Sequence, residues 1–180
     1  MSPTYEYRFM GDEDIADFIK SSFPADIFDH YSKLQIGAAR ADFWRVLALQ
    51  KHGGVYIDID GHLVWSLESL IKPHDSELFI TIRNGEITNY FLASNNDSHH
   101  LDKIISTIIT NIDNDTLKNT YDLTGPGVFN QTLDRNNVNL LPFRYVCNQG
   151  NFTNEHFQYI DKPVGKWTKE QKTKEIIKKQ

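Results

Sequence analysis

The feature that most constrains the fold is a pair of adjacent glycines between a helix pattern and a short apolar strand pattern. Residues 36–52 have helical spacing and end at Gly53 and Gly54, because glycine readily adopts the positive φ that ends a helix. Residues 55–59 then form a β-branched and aromatic run, which predicts a buried strand. We therefore expect a helix, a tight turn and a strand to follow one another closely in space.

The rest of the chain alternates between helix and strand patterns, which indicates an α/β layered domain. The dipeptide Asn84-Gly85 is a strong hairpin signal between two of the strands. Helices are predicted from Asp12, from Pro24 and over residues 67–71, 101–112 and 125–133, and strands over residues 5–10, 77–83, 87–93 and 138–146.

Length, charge and cysteine content restrict the class of protein. A chain of 180 residues with 39% hydrophobic residues fits one globular domain. The net charge of −5 argues against nucleic acid as a partner, because phosphate binding favours a basic surface. The single Cys147 suits a reducing compartment. Since no apolar run approaches the ~20 residues of a membrane span and the N-terminus has no signal pattern, we expect a cytoplasmic protein.

The C-terminal residues 162–180 differ from the rest in charge. They hold seven lysines against two glutamates, so we divide the chain into a domain over residues 1–161 and a basic helix or tail over residues 162–180. A solvated tail is the simpler interpretation. The alternative is peripheral contact with anionic lipid on the inner face of a membrane, because each lysine near such a surface contributes about 1 kcal/mol.

Four charged residues near the glycine pair carry the candidate chemistry. Asp42 and Arg45 are three residues apart and share one face of the predicted helix. Asp58 and Asp60 are two apart at the end of the predicted strand, so both carboxylates should face the same side. Two such charges repel unless a cation lies beside them, and hard oxygen ligands select Mg²⁺ or Mn²⁺. We predict that Asp58 and Asp60 bind a divalent metal.

These residues form part of a longer pattern. Ala38 lies shortly before Asp42-x-x-Arg45, and Leu49 lies shortly before the motif Gly-Gly-x-Tyr-x-Asp-x-Asp at residues 53–60. Two further motifs follow, Asn89-x-Phe-x-Ala and Thr-Gly-Pro at residues 124–126. The combination resembles the DXD-containing glycosyltransferases of the Och1-like mannosyltransferase and capsular-polysaccharide type, which also resemble the catalytic domains of large glucosylating toxins. The resemblance implies a GT-A-like, Rossmann-type α/β/α sandwich with a mixed sheet, here without the usual first strand.

The resemblance also implies a function and a set of site residues. It implies a metal-dependent, retaining transfer of a sugar from a nucleotide-diphosphate donor to a saccharide or lipid-linked acceptor, in surface polysaccharide or glycolipid synthesis. Asp60 is the expected direct ligand of Mn²⁺ or Mg²⁺, and Asp58 is expected to bind donor hydroxyls and to support the metal through water. Asp42 and Arg45 are expected to hold the donor sugar. The remaining predicted donor-binding residues are Tyr56, Asn89 and Gly125.

Two departures from the family pattern keep alternatives open. The usual first strand of the family is missing here, and Asp161 stands where a histidine is expected before Lys166-Trp167. Ala41 in place of the usual serine before Asp42 is a milder departure. One alternative is a non-catalytic protein that binds nucleotide sugars. The other is a haloacid-dehalogenase-type phosphatase with Asp58 as nucleophile; against it, His62 replaces the threonine of that motif, and the upstream Asp42-x-x-Arg45 has no role there.

Overall fold

A four-stranded mixed sheet forms the centre of the protein in a computed structural model that describes residues 2–150 and 166–179. The strands are β1 (Gly54–Ile57), β2 (Gly61–Leu63), β3 (Glu77–Thr81), β4 (Ile87–Ser94), β5 (Leu140–Pro142) and β6 (Cys147–Gln149). The helices are α1 (Asp12–Ser22), α2 (Ala25–Lys33), α3 (Gly37–His52), α4 (Leu67–Leu70), α5 (His99–Asn114), α6 (Thr120–Leu123), α7 (Pro126–Thr132) and α8 (Trp167–Thr173).

The central sheet has the strand order β1-β4-β3-β5. Strand β4 is antiparallel to both β1 and β3, whereas β3 and β5 are parallel. Strands β2 and β6 form a separate antiparallel ribbon. The predicted α/β class with a mixed sheet is therefore confirmed, and β1 lies at an edge of the sheet.

The two faces of the sheet are covered by different structures. Phe79 and Leu92 pack into a core formed with α1, α2, α3, α5 and α7. On the other face, Leu78 and Phe91 pack against Leu67 of α4 and Cys147 of β6. The β2–β6 ribbon thus lies over the sheet, close to the point where β1 ends.

The predicted helices are present, as is the hairpin turn, where Gly85 has a φ of 87°. The predicted strand over residues 5–10 is wrong. This segment has no regular secondary structure, and Tyr7 and Phe9 are 83% and 70% exposed. An alternating pattern yields a strand only beside a partner, and none of the described strands pairs with this segment.

The predicted strand over residues 138–146 is confirmed only in part, for residues 140–142. The chain forms β5, then a 3₁₀ turn at Phe143–Tyr145, and then β6, which pairs with β2. Pro142 ends β5 because it has no N–H group with which to continue a strand ladder. The turn redirects the chain toward the ribbon and brings Gln149 opposite Gly61.

The glycine pair ends α3 as the sequence predicts. Gly53 and Gly54 have φ values of 65° and 102°, and the Gly53 N–H donates to the carbonyl oxygen of Leu49 at 2.7 Å. A Cβ atom on Gly53 would lie 2.8 Å from the backbone nitrogen of Asn96. Both the dihedral angle and the close approach therefore require glycine at residue 53.

We expect Gly53→Ala to destabilise the protein by about 2–4 kcal/mol, because the substitution combines a left-handed backbone with a steric overlap. Gly37→Ala is the matched control, since a Cβ atom there would meet nothing within 4 Å at the start of α3. The control should be neutral or stabilising by up to about 1 kcal/mol. Urea denaturation followed by circular dichroism measures both effects, and equal stabilities of the two variants would contradict the prediction.

The C-terminal segment returns to the helical core after α8. Ile176 and Ile177 are buried, and the Gln35 N–H donates to the Ile176 carbonyl oxygen at 2.7 Å. Part of the basic segment therefore packs on the connection between α2 and α3. The predicted boundary between residues 161 and 162 lies outside the described residues, as does Asp161, so the division into domain and tail stays a prediction. Among the described helices, none has both the length and the apolar character needed to cross a membrane.

Candidate functional site

The two aspartates of the Asp-x-Asp pattern lie in a tight turn between β1 and β2. The Gly61 N–H donates to the carbonyl oxygen of Asp58 at 2.7 Å. A Cβ atom on Gly61 would lie 2.5 Å from Cγ2 of Ile57, so the turn requires glycine. The prediction of a buried strand over residues 55–59 is therefore wrong for its last residues, since β1 ends at Ile57 and Ile59 is 87% exposed. The turn, rather than strand alternation, brings the two carboxylates near each other.

Arg45 of α3 connects this turn to the interior. Its side chain is buried, with Nη2 at 3.1 Å from Oδ1 of Asp42 and Nη1 at 3.1 Å from Oδ1 of Asp58. Nη1 also donates to the carbonyl oxygen of Asn89 at 2.7 Å. Burial lowers the pKa of Arg45, but the charges of Asp42 and Asp58 outweigh burial and raise it above its usual value. Arg45 is therefore a permanent cation between two carboxylates.

Asp42 is the most enclosed of the three aspartates that the sequence singles out. It is 6% exposed, and it accepts hydrogen bonds from Nδ2 of Asn89 at 2.8 Å and from Oγ1 of Thr124 at 3.1 Å. Burial raises the pKa of Asp42, and the Arg45 charge and the two hydrogen bonds act in the opposite direction. In this arrangement Asp42 orients Arg45. The predicted contact of Asp42 with a donor sugar stays a prediction.

Tyr56 fixes the position of Asp58. Its hydroxyl group donates to Oδ1 of Asp58 at 2.7 Å, and the Arg45 guanidinium carbon lies 4.4 Å from the centre of its ring. Trp44 contacts the same ring edge-on, at 5.8 Å between centroids. Because burial raises the pKa of Tyr56, the hydroxyl group stays protonated and acts as a donor. One oxygen of Asp58 is thus held by both Tyr56 and Arg45.

The outer side of the site is formed by Asp58, Asp60 and Gln149. Nε2 of Gln149 donates to Oδ2 of Asp58 at 3.1 Å and to Oδ1 of Asp60 at 3.0 Å. The Asp58 side chain is 25% exposed. The structure therefore links residues 42, 45, 58 and 60 through one series of polar contacts, and it leaves only the outer carboxylates accessible to a ligand.

The outer carboxylates fit a small divalent cation. Nε2 of Gln149 lies within 3.1 Å of one oxygen of each carboxylate, so the two groups are close enough for one small ion to contact both. Hard oxygen atoms are the ligands that Mg²⁺ and Mn²⁺ prefer. In residues 2–150 and 166–179, no group of three or more His, Cys, Asp or Glu residues is placed to hold a metal. Two carboxylates plus phosphate and water oxygens form a common Mg²⁺ site, so the arrangement suits an ion shared with a substrate.

The other two predicted donor-binding residues are placed differently. Asn89 is buried in β4 and bonds to Asp42 and Arg45, so it supports the charged network. Gly125 precedes α7, and a Cβ atom there would lie 3.1 Å from backbone atoms of Thr120 and Tyr121. Close packing between α6 and α7 explains this glycine, and its contact with a donor stays a prediction.

Two residues of the site carried no assigned role in the sequence. Thr124 belongs to the Thr-Gly-Pro motif, and that motif was the sequence feature that could have indicated a role for it. Gln149 lies 89 positions from Asp60 and belongs to no recognisable motif. Only the pairing of β6 with β2 shows that it reaches the acidic turn.

The fold and the site define an α/β protein with an Asp-x-Asp turn supported by a buried Asp–Arg pair. Residues 1–77 match a family model described as the glycosyltransferase sugar-binding region containing the DXD motif. This part of the chain is therefore similar to DXD-containing glycosyltransferase regions, and the resemblance inferred from the motifs is confirmed. The match also favours the glycosyltransferase interpretation over the phosphatase interpretation.

Individual relatives are similar over a short part of the chain. An uncharacterized glycosyltransferase of Acanthamoeba polyphaga mimivirus is 36% identical over 56 residues, which are 31% of this chain and 22% of that protein. Inositol phosphoceramide mannosyltransferase 3 of Schizosaccharomyces pombe is 35% identical over 60 residues, which are 33% of this chain and 17% of that protein. The matched part of the chain thus spans about a fifth of the length of these relatives. Among solved structures, the PaToxG glycosyltransferase is similar with a TM-score of 0.47 and 29% identity, covering 53% of this chain and 34% of that one.

Proposed function

We propose that this protein transfers a sugar from a nucleoside-diphosphate donor to a saccharide or lipid-linked acceptor, with Mn²⁺ or Mg²⁺ held at Asp58 and Asp60. The observation that carries the proposal is the polar series from buried Asp42 through Arg45 to the accessible pair Asp58 and Asp60. This series lies within the residues that match the family model.

Each side chain has a physical role in such a transfer. Asp42, Asn89 and Thr124 keep Arg45 in one orientation, and an oriented guanidinium group suits a departing diphosphate. Asp58, held by Tyr56 and Arg45, faces the turn with its remaining oxygen. A divalent cation between Asp58 and Asp60 would supply Lewis-acid stabilisation of the leaving group. By the same family resemblance, the transfer proceeds with retention of the anomeric configuration.

The class of acceptor is a further part of the proposal. One relative is named for mannosyl transfer to inositol phosphoceramide, which supports a mannosyl donor and a glycolipid acceptor in the synthesis of surface glycolipid or polysaccharide. A cytoplasmic location, with peripheral contact of the basic C-terminal segment with anionic lipid, is compatible with such an acceptor. The exposed residues Lys169, Lys172 and Lys178 would make that contact.

Donor hydrolysis without an acceptor is the most direct test of the proposed reaction. The purified protein is incubated with a panel of UDP- and GDP-sugars and Mn²⁺, and the released nucleotide is measured by chromatography. We expect release of nucleoside diphosphate from one donor class, a decrease of about 100-fold or more with a chelator, and recovery when Mn²⁺ is restored.

The products separate the proposed function from its alternatives. Free sugar together with nucleoside diphosphate supports a transferase. Release of orthophosphate, with Asp58 trapped by beryllium fluoride, would overturn the proposal in favour of a phosphatase. Saturable donor binding without turnover, with or without added acceptors, would overturn it in favour of a non-catalytic binding protein.

A further inference from the structure

The position of Gln149 has a consequence for the proposed metal site. Its Nε2 atom lies 3.1 Å from Oδ2 of Asp58 and 3.0 Å from Oδ1 of Asp60. The two N–H bonds of one amide group therefore satisfy one oxygen of each carboxylate. Since two nearby carboxylates repel each other, the partial positive charge of this amide hydrogen pair offsets the repulsion in the cation-free protein.

We infer that Gln149 is a ligand side chain that responds to the cation: its amide bridges the two aspartates without a cation and turns over to present Oε1 when a cation binds. A primary amide has donors on one side and an acceptor on the other, in nearly the same shape. A rotation of about 180° at the end of the side chain thus changes a donor into a hard oxygen ligand, and the backbone need not move.

The backbone of Gln149 is placed to permit this exchange. Gln149 lies on β6 opposite Gly61, which directly follows Asp60, so the ribbon sets the distance between the amide and the turn. The side chain is exposed, and solvent can reach the amide from outside. Gln149 therefore supplies a neutral oxygen beside the two acidic side chains that the described residues bring to the turn.

The inference depends on the proposed function, because it presumes a cation between Asp58 and Asp60. Its test uses Mn²⁺ alone, with no sugar donor, and measures free Mn²⁺ by electron paramagnetic resonance. Loss of Mn²⁺ binding in Asp60→Asn would show that the ion binds at the acidic turn. Gln149→Leu removes both amide atoms at similar volume, and Gln149→Glu replaces the amide by a carboxylate. Gln131→Leu is the matched control, since Gln131 is exposed on α7.

We expect Gln149→Leu to weaken Mn²⁺ binding about tenfold or more, as the loss of a group that supports a metal site does. Gln149→Glu should retain or tighten binding, and Gln131→Leu should not change it. If Gln149→Leu binds Mn²⁺ as tightly as the unmodified protein, or more tightly, Gln149 only occupies the cation position and the inference is overturned. If the unmodified protein binds no Mn²⁺, or if Asp60→Asn binds it normally, the proposed metal site at Asp58 and Asp60 is wrong.

A second measurement follows the amide directly. Glutamine side chains are labelled with ¹⁵N, and the Gln149 signal is assigned by its absence from Gln149→Leu. Addition of Mg²⁺ should shift this signal until it saturates, and the Gln131 signal should stay in place. A Gln149 signal that is unchanged at saturating Mg²⁺ would overturn the inference even if the variant binds less metal.

Discussion

Replacing Arg45 by methionine should destabilise the protein by about 3–5 kcal/mol, because it leaves the buried Asp42 carboxylate without its counter-charge. Arg45 bridges Asp42 and Asp58 at 3.1 Å each, and Asp42 is only 6% exposed. The guanidinium group also donates to the carbonyl oxygens of Ala41 and Asn89. Denaturant unfolding at pH 7 measures the loss, and turnover of donor should fall with it.

The pH dependence of this variant tests the cause of the loss. Burial already raises the pKa of Asp42, and removal of Arg45 takes away a charge that opposes this effect. A carboxyl group whose folded pKa is raised favours the folded state below that pKa and disfavours it as pH rises. The stability deficit of Arg45→Met should therefore shrink as pH falls from 7 toward 5. A deficit that grows on acidification would contradict the assignment of the loss to Asp42.

Three further variants separate charge from packing. Arg8→Met is the surface control, since Arg8 is 66% exposed and lies 3.8 Å from Glu6, and it should change stability by less than about 1 kcal/mol. Arg45→Lys keeps the charge but loses the forked geometry, and should cost about 1–3 kcal/mol. Adding Asp42→Asn to Arg45→Met should recover part of the loss, because one buried charge is then removed.

The inner part of the site could be predicted because its determinants are local in sequence. Asp42 and Arg45 share a helix face through their three-residue spacing, and the positive φ values of Gly53 and Gly54 join α3 directly to β1. The contact between Arg45 and Asp58 spans only 13 residues. Short-range spacing and glycine chemistry thus contain enough information to bring these side chains together.

The outer part of the site could not be predicted in the same way because it depends on the pairing of distant strands. Gln149 reaches Asp60 only because Pro142 ends β5 and a 3₁₀ turn directs β6 onto β2. The sequence pattern instead favoured one strand over residues 138–146. Similarly, the apolar Ile59 suggested a buried strand, whereas it is 87% exposed on a turn at the sheet edge. Hydrophobic patterns report burial on average and do not show which strand lies at an edge.

Asp60→Asn should reduce Mn²⁺-dependent donor turnover by about 100-fold or more while leaving the fold intact. Asp60 lies on the accessible side of the site and shares the Gln149 amide with Asp58, whereas Asp58 is held by Arg45 and Tyr56. Removing the charge of Asp60 therefore leaves the inner network in place. The cation-free variant should be as stable as the unmodified protein or slightly more stable, because one repulsion between carboxylates is lost.

The response of stability to Mn²⁺ distinguishes this role from a structural one. A ligand that binds only the folded state raises the melting temperature, by an amount that grows with its concentration relative to its dissociation constant. Mn²⁺ should therefore stabilise the unmodified protein and Asp17→Asn, whose substituted residue is exposed on α1, and it should not stabilise Asp60→Asn. Asp58→Asn should lose stability without any metal, because Arg45 and Tyr56 lose a charged acceptor. Turnover by Asp60→Asn within about threefold of the unmodified protein would show that Asp60 does not hold the metal, since loss of a direct metal ligand costs far more.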